Sequence, residues 1–170
     1  MSSQAGQTET PFLTIRLTKR PDKRPLLTCV RRDGSTTMAE IAPGPVHDLI
    51  HYAVETTLGF KQGFYGLVAG GMDIQDFDVP GADRKFDIPD EANYTEFIVA
   101  LLQVEFLDGK PLTDFNAELQ RSIQNARKPF SLPPPLTDEQ LATIREKSAD
   151  LIRQWSTLPP DGTLELSMVA

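Results

Sequence analysis

The sequence predicts an α+β fold, a small antiparallel sheet of three or four strands packed against about four helices. Three observations carry this. Apolar residues alternate with polar ones near the start of the chain, and again at its end. Between those ends they recur at steps of three and four. Strands therefore come first, helices follow, and one closing strand can rejoin the N-terminal hairpin.

From Phe12 to Thr18, Leu13, Ile15 and Leu17 fall on one face and Thr14, Arg16 and Thr18 on the other, the pattern of a half-buried strand. The stretch LLTCVRRDGSTTMAEIA (26–42) predicts a hairpin turning at Asp33-Gly34 between two β-prone arms. The charges flanking it, Lys19 to Arg24 and Arg31-Arg32, suit strand edges and loops. After APGP a helix is expected from near Pro45, a residue tolerated in a first helical turn. Its face is Val46, Leu49, Ile50, Ala53, Val54 and Thr57, and Gly59 ends it.

GFKQGFYGLVAGG (59–71) interleaves glycines with aromatics. It has neither the Lys-Ser/Thr ending of a phosphate-binding loop nor a strand leading into it, so tight turns anchored by Phe60, Phe64 and Tyr65 are expected. Residues 72–92 follow as an acidic loop. Asn93 to Leu107 is the most apolar stretch and predicts a mostly buried helix ended by Asp108-Gly109. Thr113 is expected to cap a helix with Phe115, Leu119, Ile123 and Ala126 on one face. KPFSLPPPL (128–136) is a stiff connector. Thr137 and Gln140 form a capping-box pattern before a last helix striped by Leu141, Ile144, Ser148, Leu151, Trp155 and Leu158. Leu164, Leu166 and Met168 then alternate as a strand.

Length and composition set the bounds. At 170 residues the chain fits one domain, expected over 11–170 behind a disordered tail at 1–10. The apolar fraction of 39% and charged fraction of 24% are those of a globular protein, not of a disordered or rod-like one. No apolar run approaches the roughly 18 residues of a membrane span. With a polar start and a single cysteine, Cys29, a cytoplasmic setting is expected. The net charge is −7, split as +3 over residues 1–40 and −10 over the rest. That acidity argues against a nucleic-acid partner, because neutralising phosphates needs a basic face.

One constellation can carry chemistry. The only two histidines lie four apart in His47-Asp48-Leu49-Ile50-His51, with Glu55 four further on. Histidines at i and i+4 share a helix face and can share a metal ion such as zinc. The spacing is that of HExxH, with Asp48 where that motif needs a glutamate base. Glu55 cannot join both histidines, since eight residues span about 12 Å of helix. Glu105 projects into the apolar face of the 94–107 helix, where a carboxylate must be paired, protonated or metal-bound. The expected centre is therefore His47, His51 and Glu105 as ligands, with Asp48 and Glu55 as candidate catalytic or imidazole-orienting groups. The competing expectation is a hydrogen-bonded histidine–carboxylate pair that only ties helices together.

The remaining motifs are weaker. Asp73, Asp76 and Asp78 lack the spacing of a calcium loop. Cys29 sits inside a strand as a small hydrophobe, and no Gly-x-Ser-x-Gly elbow is present.

PVHDLIHYAVETTLGFKQGFYGLVAGG (45–71), preceded by a strand and a TCVRxDGS-type hairpin, resembles a family of uncharacterised bacterial proteins over residues 12–77. The resemblance implies a bacterial cytoplasmic setting, and no activity, cofactor or partner. Two functions stand. The favoured one is a non-catalytic binding protein, reaching a protein partner or a second copy through the 137–158 helix, the acidic loop or the basic hairpin. The alternative is a metal-dependent hydrolase-like enzyme built on His47 and His51.

Overall fold

The computed structural model describes residues 9–42, 44–80, 83 and 87–169. The expected tail lies, through residue 8, outside them. Strands β1 (Leu13–Arg20), β2 (Lys23–Arg31), β3 (Thr36–Glu40) and β4 (Thr163–Met168) form one antiparallel sheet in the order β3-β2-β1-β4. Ile15 pairs with Cys29 on one side and with Leu166 on the other, so the C-terminal strand completes the N-terminal hairpin. Asp33-Gly34 turns β2 into β3. Gly34 sits at a φ of 86°, and the Asp33 carboxylate accepts from the Ser35 N–H at 2.9 Å. The β1–β2 turn places Asp22 at a φ of 59°, a region Asp tolerates better than most residues.

Alternation turns Leu13, Ile15, Leu17, Leu27, Cys29, Leu164 and Met168 to one face of the sheet, where all are buried. The helices cover that face. These are α1 (Val46–Leu58), the short α2 (Phe64–Ala69), α3 (Asp90–Asp108), α4 (Phe115–Gln124) and α5 (Asp138–Thr157). α1 is the keystone. Leu49 packs into the sheet-side core with Tyr65, Val68 and Leu151. Ile50, Ala53 and Val54 pack into a second core with Ile98, Val99, Leu119, Ile123 and Ile144. No helix among the described residues is long and apolar enough to cross a membrane.

The capping box at Thr137 and Gln140 forms in both directions. The stripe on α5 is buried within the chain at Leu141, Ile144, Ser148 and Leu151. Trp155, farther along the same stripe, is only half-buried, with the Lys19 ammonium 5.2 Å from its ring centroid. The α4 cap is Asp114, not Thr113, and it accepts from Ala117 N–H at 3.1 Å. α4 ends before Ala126. Residues 59–71 contain a helix where only turns were expected. α2 is six residues long, too short to show a period against its glycines. Arg31, expected on a solvated edge, anchors this helix by donating to the carbonyls of Val68 (2.6 Å) and Met72 (2.7 Å). Within the acidic segment, Ile74–Asp78 is a 3-10 turn closed by a reciprocal Asp73–Asp76 cap.

Candidate metal centre

α1 places His47 and His51 one turn apart, and their Nε2 atoms meet at 3.2 Å. Glu96, from the facing helix α3, brings Oε1 to 2.9 Å from His51 Nε2 and Oε2 to 3.6 Å from His47 Nε2. Ligand atoms from these three residues all lie within 4.8 Å of one another. A tetrahedral ion with bonds of 2.0–2.1 Å separates two of its ligand nitrogens by about 3.3 Å.

The far nitrogens are also engaged. His47 Nδ1 lies 3.2 Å from Gln103 Oε1, and His51 Nδ1 lies 3.2 Å from Glu55 Oε2. Both partners offer an acceptor oxygen, which favours a proton on each Nδ1 and leaves the two Nε2 atoms facing each other and the Glu96 carboxylate. Two imidazole nitrogens at this distance beside a carboxylate are held by a positive charge, either a proton on His51 or a metal ion.

Glu55 is held as firmly as the ring it holds. Its side chain is fully buried, and its oxygens accept from the N–H groups of Tyr65 (3.3 Å) and Gly66 (3.2 Å) in the first turn of α2. A Cβ at Gly63 would collide with this carboxylate, so the glycine lets the carboxylate seat on the helix end. Burial alone would push the His51 imidazolium down, but Glu55 and Glu96 together outweigh it and raise the pKa to about 9. Burial raises the Asp48 carboxyl above the usual range, against the attraction of His47 and His51. Burial among sheet residues likewise pushes the Cys29 thiol up to about 12, consistent with an inert hydrophobe.

The structure does not bring Glu105 to the histidines. It is buried, as its place on the apolar face of α3 requires, but it forms a two-bond ion pair with Arg145 of α5 at 2.9 and 2.7 Å. Its Oε2 also accepts from Leu112 N–H at 2.8 Å. Nine residues, about 13 Å of helix, separate it from Glu96. Glu96 and Gln103 are the side chains of this cluster that sequence reasoning missed. They lie seven apart, on one face of α3, and are matched to α1 by the pairing of the two helices.

The centre is reachable. The His51 side chain is 2% exposed, yet those of His47 and Glu96 are 42% and 53% exposed, so the converging atoms lie at the protein's edge. A cleft of about 710 Å³ adjoins His47 and Asp48, between the N-terminus of α1 and the C-terminal part of α3. No family model, curated protein or solved structure matches this chain, so the centre is judged on its own geometry.

Proposed function

We propose that the protein binds a divalent transition-metal ion through Nε2 of His47, Nε2 of His51 and the Glu96 carboxylate, leaving coordination positions open. One observation carries the reading. Two imidazole Nε2 atoms and a carboxylate converge while a buried carboxylate and an amide oxygen hold the opposite nitrogens. Three protein ligands are the number zinc enzymes use to keep a fourth position for water or substrate. Two histidines and one carboxylate also suit Fe(II). An ion so held would polarise a carbonyl or phosphoryl oxygen and acidify a bound water, which is the chemistry of a hydrolase. The charges agree with a cation, since Asp48, Glu55 and Glu96 surround the two imidazoles.

Elemental analysis of protein purified without a histidine tag tests this. Near-stoichiometric metal in the wild type, absent from both His47→Ala/His51→Ala and Glu96→Ala, is expected. Metal-free protein that gains no thermal stability from added zinc, manganese, nickel or Fe(II) overturns it.

A second reading has its own support, because every nitrogen of both rings already has a protein partner. There His51 is an imidazolium that ties α1 to α3, and the protein is a non-catalytic binding module. It predicts the metal-free outcome, after which partner capture takes precedence over substrate screens.

A further inference from the structure

We propose that the cleft beside His47 is the substrate site of the metal centre, and that it takes a molecule with a cationic amine on an apolar body. The inference rests on the metal reading above for the identity of the reacting end. The cleft itself supplies the rest. His47 is common to both, with Nε2 turned to the centre, Nδ1 turned to Gln103, and both residues in the cleft wall.

The wall has two characters. Asp48, Asp78 and Glu40 line it, and among the described residues no lysine or arginine does. Glu40 already accepts from Arg20 at 2.8 Å, which leaves Asp48 and Asp78 to face a ligand's charge. The same wall holds Val46, Ile41, Phe106 and Leu107. The last two are 47% and 76% exposed, a cost in apolar surface that nothing in the fold requires. An anion entering here would meet like charge, and a purely apolar ligand would leave the carboxylates without a partner. A primary ammonium joined to an aromatic or aliphatic group satisfies both characters of the wall. The same molecule can then present a carbonyl oxygen to the ion beyond His47. Amides and esters of amines or amino acids, with the free ammonium retained, form that class.

Three isosteric probes test the cleft by isothermal titration calorimetry, on both zinc-loaded and metal-free protein: 2-phenylethylammonium, 2-phenylethanol and phenylacetate. In metal-free protein the cation should bind at least about tenfold more tightly than the alcohol, and phenylacetate least. In zinc-loaded protein, where a carboxylate can ligate the ion, the comparison is between cation and alcohol. Asp48→Asn should abolish the preference for the cation. Phe106→Ser, at an exposed position that leaves folding intact, should weaken cation and alcohol alike. Equal binding of the three probes, or a cation preference that survives Asp48→Asn, overturns the proposal. Metal content measured on the same samples separates the two readings. Cation preference in protein that takes up no zinc keeps the cleft's ligand class and removes the metal centre. Stoichiometric zinc without cation preference does the reverse.

Discussion

Glu55 Oε2 lies 3.2 Å from His51 Nδ1 and accepts from the backbone N–H of Tyr65 as well. One buried carboxylate thus fixes a ring orientation and closes a helix end. Its removal should act on both. Glu55→Ala is expected to lower stability by about 3 kcal/mol, because charged hydrogen bonds are lost and N–H groups of α2 are left buried. The conservative Glu55→Gln keeps the shape, so it should unfold far less easily than the alanine variant while lowering zinc affinity about 10- to 100-fold. Urea titration and competition with a chromophoric chelator measure the two effects. Unchanged affinity in Glu55→Gln would detach this residue from the centre.

Glu96 and Glu105 share a helix and should behave oppositely. Glu96 is 53% exposed and pairs with His47 and His51, so Glu96→Ala should abolish metal binding and cost less stability than the loss of Glu105. Glu105 is buried beneath Arg145. Glu105→Ala should cost about 2–4 kcal/mol, a value reduced because Arg145 is partly solvated, and should leave metal stoichiometry unchanged. Thermal unfolding with and without zinc reads both variants, and loss of metal from Glu105→Ala would contradict the assignment.

These two carboxylates also show what the sequence makes legible. Alternation at 13–17 and 164–168, the Asp33-Gly34 turn and the Thr137–Gln140 box are local signals, and local physics carries them into the sheet and α5. The His47–His51 spacing is equally local, and those residues do meet. Glu105 was singled out by a sound rule, that a carboxylate on an apolar face needs a partner, and it has one. Which partner depends on how α3 is matched along α1 and α5, a long-range register that spacing within one helix does not encode. α2 is not legible in the sequence because its six residues are stabilised by Arg31 and Glu55 from other elements rather than by their own pattern.

Gly63 should tolerate no side chain. A Cβ there meets the Glu55 carboxylate, which is pinned by His51 and two backbone N–H groups and has no room to retreat. Gly63→Ala is expected to destabilise by about 1–3 kcal/mol, the usual cost of overpacking, and to weaken zinc binding through displacement of Glu55. Because both substitutions act on one contact, the Gly63→Ala/Glu55→Ala double variant should lose less stability than the separate losses added together. Strict additivity in a double-mutant cycle would remove the coupling.

The proposed ion and the His51 proton would compete for the same space between the histidines. In metal-free protein His51 has its pKa raised to about 9 from an ordinary 6.5, by Glu55 and Glu96 against the effect of burial. A raised pKa means that the folded state holds the proton more tightly than the unfolded state. The stabilisation is therefore fully present below about pH 6.5 and is lost as pH rises through 9. His47, Asp48, Glu55 and Glu96 are the other titratable groups around the ring. Urea unfolding in the presence of a chelator should show stability falling between pH 7 and 9.5, and His51→Gln should flatten the fall. A zinc ion must displace that proton, so at pH 7.5 binding should release about one proton per ion, read from calorimetry in buffers of different ionisation enthalpy. Release near zero, with zinc bound, would mean that His51 is already neutral and that the ion enters a centre preformed without a proton.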